Sequence, residues 1–257
     1  MNHASGHVLG TRIDVIDYEG ALALLREWAA GDQPRLVAAA NTHLVAAAHA
    51  DTKFAEVRAG FDLVVPDGMP LVWALRLEGH ALRDRVYGPY LMEHGLRRLG
   101  APCRHFFAGG TSECLKALAA EARRLQPRIE IAGECSPPFG EQGESVDLEM
   151  IGQIRGAGAN VVWLALGGVR QETWLARNRH RLPPGVYLAV GDAFALIAGQ
   201  RSFAPRWMQR AGLTWLHRLA AEPRRLGPRY VSYNRRFVLA YLRDRWRLAH
   251  GAVASHT

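Results

Sequence analysis

Five times along this chain a short apolar run stops at glycine or polar residues and gives way to a helical pattern. The runs are Leu36–Ala40 before Asn41, Leu63–Val65 before Pro66-Asp67-Gly68, His105–Ala108 before Gly109-Gly110, Asn160–Leu166 before Gly167-Gly168, and Val186–Val190 before Gly191-Asp192. Short apolar runs bounded by turn residues suit buried strands, and strands alternating with helices predict a parallel sheet covered on both faces. A further strand is expected at Ile129–Gly133, and an opening strand or hairpin at Val8–Asp14. Helical spacing predicts helices over Tyr18–Ala30, Leu44–Ala50, Phe54–Ala59, Pro70–Leu75, Leu115–Leu125, Val146–Gly156 and Trp174–Arg179.

In open sheets of this kind ligands bind outside the carboxyl ends of the strands, so the polar residues there are the first candidates for chemistry. Asp67 is a candidate base or ligand anchor, although local rules favour reading it as a cap for the helix that Pro70 begins. Asn41 is either a cap for the next helix or a ligand contact, and Thr42 follows it. His43 reads as a surface or core histidine, because nothing near it in sequence offers a metal partner. Arg85 is suited to grip phosphate by paired hydrogen bonds, although a loop arginine is often only solvated. Gly109-Gly110 before a helix can cradle a phosphate on backbone N–H groups, and is equally plain turn chemistry.

The charge is unevenly placed. The net charge is +8, yet from Arg201 onward twelve arginines face only Glu222 and Asp244, which puts +10 on the tail and −2 on residues 1–200. Two units follow: a body over 1–200 and a basic tail over 201–257. Pro205, Pro223 and Pro228 are expected to break that tail into short helices. In Tyr230–Arg247 the set Tyr230, Asn234, Phe237 and Tyr241 steps by three and four, with Arg235, Arg236 and Arg243 off that face. Such a segment suits an anionic membrane surface, or packs on the body with a solvated charged face. Three cysteines without C-x-x-C spacing argue against a disulfide framework or zinc site and fit a reducing cytosol. The first ten residues lack the apolar core of a signal peptide, and no apolar run approaches the ~18 residues of a membrane-spanning helix. There is no D-x-D pair, P-loop, H-E-x-x-H or G-x-S-x-G, and Gly156-Ala157-Gly158 precedes a strand where a dinucleotide fingerprint follows one. Walker-type phosphoryl transfer, hydride transfer and serine hydrolysis all lack their parts.

Taken together, several segments resemble one family. They are the Asn41 segment, Val65-Pro66-Asp67-Gly68, Arg85 with Gly88, Phe107-Ala108-Gly109-Gly110, Gly167 with Gln171-Glu172 and Trp174, and Gly191 with Phe194. The tail adds Ala204-Pro205-Arg206-Trp207, Gly212-Leu213, Trp215-Leu216-His217-Arg218-Leu219, Glu222-Pro223-Arg224-Arg225-Leu226 and Arg229-Tyr230. Over roughly residues 8–240 the chain is similar to the WecG/TagA/CpsF glycosyltransferases. The resemblance implies an α/β fold: a Rossmann-like parallel sheet flanked by helices, with a basic α-helical C-terminal appendage that meets the membrane and closes the active site. It implies an inverting transferase that needs no metal or cofactor. The sugar would move from a UDP-sugar, of the N-acetylmannosamine, N-acetylmannosaminuronic acid, glucuronic acid or glucose type, to a polyprenyl-pyrophosphate-linked saccharide. The work would serve cell-surface polysaccharide assembly, peripherally on the inner face of the cell membrane. Nucleic acid is not expected as a partner, and a homo-oligomer is compatible with the chain.

By the same likeness Asp67 would be the base and Arg85 would stabilise the departing UDP. Asn41, Thr42, Gly68, Gly109, Gly110, Gln171, Glu172, Gly191 and Asp192 would border the substrates, and Arg218, Arg224, Arg225 and Arg229 would meet the lipid pyrophosphate. The chain departs from the family pattern at Ala39, Val169, Ala195, Phe203 and Thr214, where Thr, Pro, Asp, Arg and Glu are usual. Such losses imply another donor or reduced activity; because Asp67, Arg85 and Gln171 are retained, the reading favours an active enzyme with altered specificity. The alternatives are a catalytically silent family member acting as an assembly partner, or a basic nucleic-acid-binding protein, which leaves the strand-end residues without a role.

Overall fold

The computed structural model describes residues 3–137 and 143–254, and within the last helix the side chains of 225, 228–232, 248–249 and 251–254 lie outside the description. The chain opens with an antiparallel hairpin, β1 (Ser5–Val8) and β2 (Thr11–Asp14), followed by α1 (Tyr18–Ala29). Then come β3 (Pro34–Ala40), α2 (Thr42–Ala50), α3 (Thr52–Ala59), β4 (Leu63–Pro66), α4 (Met69–Leu77) and α5 (Gly88–Arg98). The second half runs β5 (Arg104–Gly109), α6 (Ser112–Leu125), β6 (Glu130–Cys135), α7 (Glu144–Gly156), β7 (Val161–Ala165), α8 (Gly168–Asn178), β8 (Gly185–Ala189) and α9 (Ala193–Ile197). The tail contributes α10 (Arg206–Arg210), α11 (Thr214–Ala221) and α12 (Pro223–Ala254).

Six strands form one sheet in the order β4-β3-β8-β7-β5-β6, every neighbouring pair parallel. Successive side chains on a strand point to opposite faces, and the core divides accordingly. Leu36, Ala38, Val64, Phe106, Val162, Leu164 and Tyr187 pack on one face, beneath α2, α4, α7 and α8. Val37, Leu63, Val65, Phe107, Val161, Trp163, Val186 and Leu188 pack on the other, beneath α1, α5, α6 and α9. Both faces are apolar because both are covered, which is why the strands read as continuous apolar runs. The expected parallel α/β architecture is thus present. At the end of β5, Gly109 adopts a φ of +111°, and an added Cβ would lie 2.5 Å from the Ala165 carbonyl oxygen, so only glycine lets β5 and β7 close here.

Helix α5 was not expected, β6 runs two residues past its expected end, and two helix boundaries differ as well. Helix α8 begins at Gly168, before Trp174, because the glycine pair supplies the helix's N-terminus as well as the turn. Helix α12 runs for 32 residues without a break at Pro228. Pro223 occupies its first position, where a missing N–H costs nothing, and Pro228, near the start, forfeits one backbone bond in a helix with many turns left to form. Helix α12 packs along α2 and inserts Phe237, 5% exposed, into the core beneath α2 and α4. Its next turns leave Val238, Leu239, Leu242 and Trp246 at 52%, 45%, 60% and 63% exposure. Among the described residues no helix is long and apolar enough to cross a membrane. Phe237→Ala is expected to lower the unfolding free energy by about 3 kcal/mol, the cost of emptying a buried phenyl site, and urea denaturation measures it.

Candidate active site

A cavity of about 690 Å³ opens over the carboxyl ends of β4, β3, β8 and β7. Each strand delivers a residue to its rim: Asp67 after β4, Asn41 after β3, Gly191 and Asp192 after β8, and Gly167 after β7, with Gln171 one helical turn on. The loop before α5 adds Arg85 and Tyr87, and the tail adds Thr214, Trp215, Arg218, Tyr233, Asn234 and Phe237.

Asp67 does not cap the helix that follows it: α4 starts from Gly68 with no side-chain cap. Its backbone N–H extends the β3–β4 pairing by donating to the Ala40 carbonyl at 2.7 Å. Its Oδ1 instead accepts the Gly88 N–H, 2.7 Å away, at the start of α5. A Cβ at Gly88 would stand 3.2 Å from Ala39 Cβ and 3.5 Å from this Oδ1, so glycine permits the approach. The Asn41 side chain resolves its own ambiguity by serving both ends. Its Oδ1 accepts the Leu44 N–H at 3.1 Å, capping α2, which leaves its amide N–H to donate to the Asp67 carboxylate. Burial pushes the Asp67 carboxyl above its ordinary range, opposed in turn by Arg85, the Gly88 N–H, Arg218 and Asn41.

Arg85 is 7% exposed. Its Nη2 donates to Thr214 Oγ1 at 3.0 Å, and its guanidinium lies 4.3 Å from the Tyr87 ring centroid. Asp192 accepts ion pairs from two tail residues, Arg201 and Arg218, the latter at 2.6 Å, and Arg201 also meets Glu222 at 2.8 Å. The tail is therefore tied to the loop before α5 through Arg85–Thr214 and to the end of β8 through Asp192–Arg218. Thr42 Oγ1 donates to Asn234 Oδ1 of α12 at 3.2 Å, and the His43 ring meets Tyr233 edge-on at 4.0 Å between centroids. Away from this polar end the wall turns apolar, with Trp73 and Leu77 of α4 facing Phe237, Val238 and Tyr241 of α12.

Asp67, Arg85, Asn41, Thr42, Gly68, Gln171, Gly191, Asp192 and Arg218 are thus brought together. Gly109 and Gly110 lie one strand further along the sheet, off the lining, and Thr111 rather than a glycine cradle caps α6. Glu172 points away from the cavity, fully buried, and burial pushes it up to about 7 against the opposing charge of Arg58. Arg224 is exposed on α12 and does not line the cavity, while the side chains of Arg225 and Arg229 fall outside the described residues. His43, Tyr87, Tyr233 and Asn234 are among the pocket residues that the sequence did not assign to the site, whereas Thr214 was singled out only as a departure from the family pattern. Asn234 carried a signal, a polar residue on the otherwise apolar face of its helix. Among the described residues, no group of three His, Cys, Asp or Glu side chains could hold a metal ion.

The family profile described as Glycosyl transferase WecG/TagA/CpsF family matches residues 6–251. The chain belongs to this glycosyltransferase family. It is 27% identical over 190 residues to a Bacillus subtilis (strain 168) protein named N-acetylglucosaminyldiphosphoundecaprenol N-acetyl-beta-D-mannosaminyltransferase, covering 73% of this chain and 72% of that one. A protein of the same name from Bacillus spizizenii (strain ATCC 23059 / NRRL B-14472 / W23) is 27% identical over 202 residues, 76% of this chain and 77% of its own length. Within this glycosyltransferase, Asn41→Ala is expected to remove about 1 kcal/mol of stability with the α2 cap, measured by denaturation. It should also move Asp67's ionisation to still higher pH, read by carboxyl NMR. The sign follows from the raised folded value: the folded state keeps the proton where the unfolded chain has lost it, so stability falls as pH rises through that window, and the variant widens it.

Proposed function

We propose that this chain transfers N-acetylmannosamine, or a close relative of that sugar, from a UDP donor to polyprenyl-diphosphate-linked N-acetylglucosamine, with inversion and with no required metal. The observation that carries the reading is the desolvated Asp67 carboxylate, held by the Gly88 N–H beside Arg85 in a cavity with an apolar arm. The names of the two Bacillus relatives supply the sugar and the acceptor class.

In this reading a sugar hydroxyl of the acceptor gives its proton to Asp67 as its oxygen bonds to the donor's anomeric carbon. The bond from that carbon to the diphosphate breaks on the opposite face, and its electron pair leaves with UDP. A carboxylate with a raised pKa is a better base than an ordinary one, and general-base catalysis supplies about 10²–10⁴-fold. Arg85 and Arg218 stand where the charge of a diphosphate would be met, as electrostatic stabilisation requires. Gly191, Gln171 and Asp192 would border the nucleotide sugar. The apolar arm between Trp73, Leu77 and α12 suits the first isoprene units of the lipid. Ala39 beside Asp67, and Thr214 on Arg85, alter the polar groups that a donor sugar meets, which supports a specificity of this chain's own.

Residues 201–257 would act as the appendage that closes the site against the cytoplasmic face of the membrane. Exposed Val238, Leu239, Leu242 and Trp246 lie among exposed Arg235, Arg236, Arg243, Arg245 and Arg247, a composition suited to an anionic interface.

UDP release measured over a panel of UDP-sugars, with short-chain lipid-diphosphate N-acetylglucosamine and EDTA present, should show acceptor-dependent turnover with one donor. Asp67→Asn should cut kcat by about 10²-fold or more while UDP still binds; undiminished turnover removes Asp67 as the base. Leu242→Glu with Trp246→Glu should abolish sedimentation with anionic liposomes, and unchanged sedimentation contradicts the membrane role.

A further inference from the structure

Behind the cavity wall lies a buried charged group that the proposed chemistry does not use. Glu172 is 0% exposed and Arg58, on α3, is 3% exposed. Glu172 Oε2 and all three guanidinium nitrogens of Arg58 have no hydrogen-bond partner among the described residues. Removing these charges from water is costly, and apolar residues of the same volume would pack α3 on α8 as well or better. Stability alone does not account for the arrangement.

The carboxylate accepts a hydrogen bond from one other side chain, and that bond leads to the site. Gln171 Nε2 donates to Glu172 Oε1 at 3.3 Å, which leaves Gln171 Oε1 without a partner in a residue that lines the cavity and is 5% exposed. That carboxamide lies against Gly191, where an added Cβ would stand 3.6 Å from each of its polar atoms. A carboxylate can only accept, so it selects one of the two orientations open to an amide. We infer that Glu172 is a positioning residue that turns the Gln171 carboxamide so that its oxygen, not its nitrogen, meets an O–H or N–H donor of the bound ligand. The identity of that ligand as the nucleotide sugar rests on the proposed function; the orientation of the amide does not. Arg58 acts on Glu172 by favouring its charged form, and Arg12 of β2 in turn opposes the charge on Arg58.

The test separates the two layers. In the full-length protein, the Gln171 side-chain amide resonance is identified as the pair lost in Gln171→Met. It should titrate with a midpoint near the value of about 7 to which burial brings Glu172, and lose that titration in Glu172→Gln. Because Glu172→Gln leaves Arg58 buried without a counter-charge, the double variant Glu172→Gln/Arg58→Met provides a second version with both charges removed. It too should lack the titration, and both variants should bind UDP roughly tenfold more weakly at pH 8 while melting cooperatively. An amide that titrates identically in wild type and variants, or variants that bind UDP as wild type does, overturns the inference. If the wild type binds no UDP, the nucleotide-sugar reading fails, and the amide titration still decides the role of Glu172.

Discussion

The Asp67 carboxylate accepting the Gly88 N–H is the contact on which the rest of the site depends. It joins the end of one strand to the start of a helix that packs on the far side of the sheet, so two elements separated in sequence fix one side chain. The bond and the Asn41 amide hold the carboxylate in place, while burial and the Arg85 charge pull its ionisation in opposite directions. A group so balanced is costly to keep, and in the proposed reaction it is the group that takes the proton, the relation expected between a reactive carboxylate and the stability of its host.

The tail completes this arrangement from the opposite side. Thr214 on Arg85, Arg218 on Asp192 and Asn234 on Thr42 each tie a tail residue to a residue of the body at the cavity rim, so the cavity has a polar floor made by the sheet and a wall made by α11 and α12. The neutral hydroxyl of Thr214 leaves the charge of Arg85 available to an anion, where a carboxylate in its place would consume it. One helix thus has three duties along its length: Phe237 anchors it, Asn234 and Tyr233 line the cavity, and its later turns present apolar and basic side chains outward.

The sheet was legible because burial on both faces writes continuous apolar runs, and because each run ends where the chain must turn. Asp67 was legible for the same reason, as a polar residue placed where a parallel sheet opens its crevice, whereas Arg85 was ambiguous as a loop residue and Gln171 entered only through the family resemblance; all three line the cavity. What sequence could not supply was order across the sheet. Gly109 and Gly110 follow a strand as Gly191 does, but β5 lies beyond β7, which puts their turn off the cavity. The cap reading of Asp67 failed because its partner is 21 residues away and local rules see only the next turn. His43 entered the cavity through Tyr233, and Thr214 through Arg85; both are contacts between the body and the tail that no local pattern encodes. The continuity of α12 was hidden by Pro228, whose cost is fixed while the helix beyond it is long.

In a crystal structure with UDP bound, the diphosphate should lie within hydrogen-bond reach of Arg85, the remainder of the nucleotide against Gly191 and Gln171, and the Asp67 carboxylate should be left open toward the apolar arm where an acceptor would enter. UDP bound away from the ends of β3, β4 and β8, or a diphosphate that does not approach Arg85, would contradict this arrangement.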